Sequence, residues 1–177
     1  MSSPIRFTGT TNASLSWNLE HASLKAPLKG NETASSDKPA AAPKYYYRER
    51  FRALDANNKR TIVTLSDRHG NDAEAQLFDL LADTVWRSVD GDDIKYYNLA
   101  EVLTGQVTIG SGQGPCRSCR GIIRQFRTEF PNVVVHVVYP KRDESPIHND
   151  PLGGAYGYDR AKEDGGMWKI TLPASGG

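Results

Sequence analysis

The chain has 177 residues, with 22 Lys and Arg against 21 Asp and Glu, two Cys and a formal net charge of +1. That length buries a core without disulfide or metal staples, and a near-neutral balance excludes a strongly basic nucleic-acid binder on composition while allowing a local patch. Two cysteines this close in sequence cannot make a secreted disulfide framework. No apolar run reaches a membrane span and the N-terminus shows no charged-then-apolar leader, so the sequence predicts a soluble chain that does not export itself.

Residues 1–44 differ in texture from the rest. The stretch Asn31 to Pro43 is rich in Ser, Ala and Pro and has little to bury, which predicts an N-terminal extension and linker, partly disordered. Within it, Leu15, Leu19 and Leu24 suggest a short helix from Ala13 to Leu24, with Trp17 as a docking anchor. The main domain is expected over 45–177. Tyr45 to Leu54 alternates apolar and charged residues, Asp55 to Lys59 supplies a turn, and Arg60 to Leu65 follows, which reads as a hairpin. A helix is predicted from Asp72 to about Trp86, its Leu77, Phe78, Leu81 and Val85 on one face. Glu74 falls in that apolar stripe, where a carboxylate is costly unless it is paired or used.

Asp90 to Asp93 reads as a turn, Ile94 to Val102 is ambiguous, and Gln106 to Ile109 is a short strand entering the glycine-rich loop Gly110 to Gly114. The next helix carries Pro115, Cys116 and Cys119 at its start. Cys119, Ile122, Ile123, Phe126 and Phe130 share one side, while Arg117, Arg120, Arg124 and Arg127 share another, so the thiols are expected to point inward and the arginines outward. Val133 to Tyr139 is a continuous apolar run suited to a buried strand. A long mixed loop runs from Pro140 to Gly157, and Trp168 to Leu172 makes a last strand. His136 and His148 read as a strand and a loop histidine without an assigned role.

Cysteines at CxxC spacing in the first turn of a helix can grip one Zn²⁺, which then needs further ligands from elsewhere. The competing readings of the pair are a structural or redox CxxC, and for Glu74 a plain helix-surface carboxylate. Together, Glu74 and Pro115-Cys116-x-x-Cys119 resemble the H-x-E … P-C-x-x-C signature of the zinc-dependent nucleobase and nucleotide deaminases. The first ligand departs from that pattern, because Asp72 stands where His is usual. A carboxylate oxygen is a legitimate zinc ligand, and His69 is the rival. The glycine-rich approach to PCxxC, the valine-rich strand after it and the linker resemble most the deaminase domains of bacterial polymorphic toxins, several of which act on cytosine in DNA.

The resemblance covers roughly Tyr45 to Leu172. It implies an α/β fold, a cytidine-deaminase-like three-layer sandwich in which a central mixed sheet is flanked by helices carrying the zinc motifs. It implies Zn²⁺ held by Asp72, Cys116 and Cys119, with Glu74 as the proton shuttle. The expected activity is hydrolytic deamination of cytosine to uracil in DNA, single-stranded rather than double-stranded, by a monomeric toxin effector. Such an effector works in the cytoplasm of a target cell after delivery within a larger secreted protein, and is countered by a cognate immunity protein. Arg117, Arg120, Arg124 and Arg127 are the candidate phosphate contacts, against the plainer reading of a solvated helix face. A deaminase of RNA or free nucleotides, and a non-enzymatic zinc-stabilised nucleic-acid-binding module, fit the same motifs.

Overall fold

The computed structural model describes residues 12–35, 51, 73–113, 117–140, 159–164 and 166–174. Its elements are β1 (Asn12–Glu20), β2 (Leu28–Ser35), α1 (Ala73–Ser88), α2 (Asp93–Val102), β3 (Thr104–Ser111), α3 (Arg117–Glu129), β4 (Val133–Pro140), β5 (Asp159–Asp164) and β6 (Met167–Leu172). Among the described residues the strands form a six-stranded sheet in the order β2-β1-β3-β4-β6-β5. Only β3 and β4 pair in parallel, joined by the crossover helix α3, and the other neighbours are antiparallel. The mixed sheet and the helix layer of the expected α/β sandwich are both present.

The N-terminal expectation is corrected. Residues 13–24 form no helix and 12–35 form no linker; they fold into the β1–β2 hairpin, and β1 lies inside the sheet between β2 and β3. The physical reason is in the sequence. Ala13, Leu15, Trp17 and Leu19 alternate with Ser14, Ser16, Asn18 and Glu20, so a strand puts every apolar side chain of this stretch on one face. Leu15 and Leu19 are fully buried, and the Trp17 indole lies over Gly30 of β2, where a Cβ would collide with its ring. The hairpin expected over Tyr45 to Leu65 and the loop expected after Pro140 lie outside the described residues, except Phe51, which is buried in the core.

The helices pack on one face of the sheet. The core joins Leu77, Phe78, Leu81 and Val85 of α1, Tyr96 and Leu99 of α2, Ile122, Ile123 and Phe126 of α3 and Phe130 just after it with Val107, Ile109, Val133, Val135, Val137, Ile170 and Leu172 of the strands. The ambiguous segment is helix α2, set off from α1 by a turn with Asp90 at φ 58° and Gly91 at φ 70°. Asp92 caps it, accepting from the backbone N–H of Lys95, and the Trp86 indole N–H donates to Asp93 Oδ1 at 3.0 Å across the turn. No helix among the described residues is long and apolar enough to cross a membrane.

The arginine row is also corrected. Arg120 and Arg127 are buried rather than outward-facing, and Arg127 is 1 % exposed, its Nη2 donating to the Pro173 carbonyl at 2.6 Å. Both flank the apolar stripe of α3 closely enough for their long stems to be covered by the neighbouring layer, so the charged head must find a partner inside. Arg124 is half-buried, and the Arg117 side chain lies outside what is described.

On the opposite face of the sheet a polar row crosses five strands, with Asn31, Ser16, Thr108, His136 and Thr171 in register. The His136 ring bridges two strands, Nδ1 lying 2.8 Å from Thr171 Oγ1 and Nε2 lying 2.8 Å from Gln106 Oε1. Neutral imidazole satisfies both by donating from Nε2 and accepting at Nδ1. Burial, and then the nearby Lys169 ammonium, hold its pKa below the ordinary 6.5.

Two outcomes are expected. Arg127→Gln leaves the Pro173 carbonyl without its donor and costs about 2 kcal/mol of stability, against a smaller loss for Arg124→Gln, both read by urea unfolding. For His136 the folded state disfavours the proton. The stability this preference contributes is complete above pH 6.5, and is lost as pH falls from there through the lower folded-state pKa. Unfolding curves at about pH 7.5 and about pH 5.5, either side of the free histidine value, should show a larger drop for the parent than for His136→Gln.

Candidate active site

Two helix N-termini meet at one end of the sheet. Glu74 is the second residue of α1, and that first turn is tethered by Gln76, itself 2 % exposed, whose Nε2 donates to the Ser35 carbonyl at the end of β2. One turn further on, the fully buried Asp79 accepts the Phe51 backbone N–H through Oδ1 at 3.2 Å. Cys119 is the third residue of α3 and is 2 % exposed, on the same side of the helix as Ile122, Ile123, Phe126 and Phe130. The expectation of an inward thiol holds. Across the helix pair the Cys119 thiol donates to Glu74 Oε2 at 3.4 Å.

The positive dipole ends of both helices favour negative charge here. A thiolate and a carboxylate in such contact repel unless a proton or a cation lies between them. The donor set suits a metal, since sulfur from a helix first turn is a soft zinc ligand and the carboxylate beside it can serve water on the same ion. Asp72, His69, Pro115 and Cys116 lie outside the described residues, and among the described residues no three His, Cys, Asp or Glu side chains converge on one point. The structure therefore places Glu74 beside Cys119 and does not place the other expected ligands.

The sheet contributes to the same end. Asn12 pairs with Ser35 and Ala13 with Ser111, and the Gly112 N–H donates to the Asn12 carbonyl at 3.1 Å. The last residue of β2, the first of β1 and the last of β3 thus lie side by side under the two helix starts. Ser111, the next side chain after Val107 and Ile109 on the helix-covered face, is 6 % exposed. Its Oγ accepts from the Gln113 N–H at 3.4 Å. Sequence reading passed over Ser111 as part of a glycine-rich loop; the alternation running from Val107 through Ile109 was the signal that it ends a strand facing inward.

A site at this position follows the rule for parallel strands, whose carboxyl ends open toward the N-termini of the crossover helices. Residues 19–141 match the toxin-deaminase family described as the BURPS668_1122 family of deaminases. No curated protein and no solved structure matches the chain. The match spans β1 through β4 and so takes in both helix starts, with Glu74 and Cys119 inside it. The chain belongs to this toxin-deaminase family and is a hydrolytic deaminase domain.

Proposed function

We propose that the domain is a zinc-dependent cytosine deaminase acting on DNA, single-stranded in preference to double-stranded, and that it serves as a toxin effector inside a target cell. The observation that carries this reading is the 3.4 Å contact between the Cys119 thiol and the Glu74 carboxylate at two helix N-termini, in a chain of the toxin-deaminase family. It supports the pairing of one thiol ligand with one proton shuttle that the deaminase reaction needs. Cys119 would hold the zinc together with Cys116 and Asp72, or with His69 in place of Asp72. Zinc held by these residues would supply Lewis-acid activation of the attacking water near neutral pH.

Glu74 then has two tasks. It takes a proton from the attacking water, and as that oxygen adds to C4 of the ring it returns protons to N3 and to the departing exocyclic nitrogen, which leaves as ammonia. Its place in the first turn of α1, among residues buried on both sides, holds the carboxylate in one orientation through that sequence.

The phosphate role narrows with the arginine burial. Of the row, Arg124 is the described side chain that reaches solvent, so a backbone contact by this helix rests on it and on Arg117. Burial of Arg120 and Arg127 favours, as a second reading, a pocket that takes free nucleotides or RNA, because fewer cations of the helix face are available to follow a strand. A cognate immunity protein is part of the proposal, as partner of a toxin.

The test is direct. Single- and double-stranded DNA, RNA and free nucleotides are incubated with the protein and products are read by mass, with uracil in single-stranded DNA as the expected main product. Glu74→Gln should lower turnover about a thousandfold while keeping its fold and about one zinc per chain, whereas Cys119→Ser should lose the zinc as read by elemental analysis. Undiminished turnover by Glu74→Gln, or full activity in protein free of metal, would remove the proposal.

A further inference from the structure

Ser111 carries a buried hydroxyl whose proton is unspent among the described residues. The side chain is 6 % exposed, its oxygen accepts from the Gln113 N–H, and among the described residues nothing accepts from it. A buried polar group without a partner is costly, and such a group at a ligand site is accounted for when the ligand supplies the missing acceptor. The position fits. Ser111 ends β3 on the helix-covered face, beside Ala13, and Gly112 is tied to Asn12. Asn12 pairs with Ser35, whose carbonyl holds Gln76, two residues beyond Glu74. This chain of strand pairings sets the hydroxyl at the end of the sheet where α1 begins.

Resting on the deaminase reading above, we infer that Ser111 is a specificity-determining residue whose hydroxyl donates to the ring carbonyl O2 of the cytosine presented to Glu74. With C4 and N3 turned toward Glu74, O2 is the remaining strong acceptor on the reacting edge of the base. Adenine, attacked at C6 with N1 toward the same carboxylate, places a C–H at the equivalent position and leaves the hydroxyl unsatisfied. A site built to complete such a bond rejects an analogue that lacks it far more strongly than an apolar wall would.

The experiment pairs a change in the protein with a change in the base. Oligonucleotides carrying one cytosine, one 2-thiocytosine or one abasic site are presented to the parent chain and to Ser111→Ala and Ser111→Thr. Replacing cytosine by 2-thiocytosine, a weaker acceptor, should lower kcat/KM of the parent about tenfold; this arm needs no variant and stands even if a substitution harms folding. Ser111→Ala should lose about tenfold on cytosine and show little further loss on 2-thiocytosine, the two changes removing one shared interaction. Ser111→Thr, which keeps the hydroxyl, should restore most of the rate. Equal kcat/KM for Ser111→Ala and the parent, or penalties that add, would overturn the inference.

Binding without turnover separates this inference from the reading it rests on. Glu74→Gln protein should bind the cytosine oligonucleotide more tightly than the abasic one, and adding Ser111→Ala should erase most of that preference. A preference for cytosine that survives Ser111→Ala overturns the role of Ser111 alone. No preference in Glu74→Gln, with no turnover by the parent on any nucleic acid or nucleotide, overturns both.

Discussion

The geometry of the site depends on how far apart α1 and α3 sit, and that spacing is set by Phe126. Its ring lies 4.9 Å from Phe78 of α1 and stacks on Phe130 at 4.6 Å, with Phe51 edge-on at 6.0 Å. Tyr96 of α2 closes the cluster edge-on to Phe130 at 6.2 Å. Rings of this size have few rotamers that fill the same space, so they fix interhelical distance more firmly than a run of leucines would. The thiol-to-carboxylate contact at the helix starts is the far end of that lever: a change of ring size two turns below Cys119 moves Glu74 relative to it.

Burial and charge are traded differently on the two faces of the sheet. The helix side is apolar at Val107, Ile109, Val133, Val135 and Val137 and becomes polar only at its end, with Ser111 and the two helix N-termini. The other side carries the polar row along its middle, with His136 wired to Gln106 and Thr171 between Val134 and Val138. Chemistry at the first face needs a dry wall on three sides and backbone N–H groups on the fourth, an arrangement that a strand–helix–strand crossover supplies without special residues beyond its first turn.

Much of this fold was legible in the sequence. The 3.6-residue stripes of α1 and α3 and the valine run of β4 could be read because each buries one continuous face. The strand β1 was misread because Leu15 and Leu19 are four apart, a spacing that suits a helix turn and two strand repeats equally; Ala13 and Trp17 break the tie, and a small residue and a lone indole are weak votes. The edge strands were harder. In β2, Lys29, Asn31 and Thr33 face outward, and β5 reads Asp-Arg-Ala-Lys-Glu-Asp, the kind of charged sequence that protects an edge from further pairing and hides it from a hydrophobicity-based reading. The arginines misled for another reason. Periodicity gives the angle at which a side chain leaves the helix, and a guanidinium on a long stem can return to the interior from well outside the apolar stripe. At the site, Glu74 stood out as a carboxylate among apolar neighbours and Cys119 by its motif, while Ser111 hid among glycines because a hydroxyl at a strand end has no periodic signature of its own.

The place of β1 inside the sheet bears on when the domain comes into being during synthesis. Leu15 pairs with Ile109 and Trp17 with Val107, so the second strand from the edge waits for a partner made long after it, a high-contact-order arrangement that is slow to close. Until β3 leaves the ribosome, β1 and β2 are a two-stranded ribbon of marginal stability, and the helix layer has no sheet to pack on. Cys119 follows β3 and precedes β4 and β6, so both helix starts are made before the sheet beneath them is closed. A chain stopped before β4 therefore carries both helix starts over a sheet that lacks the parallel partner of β3.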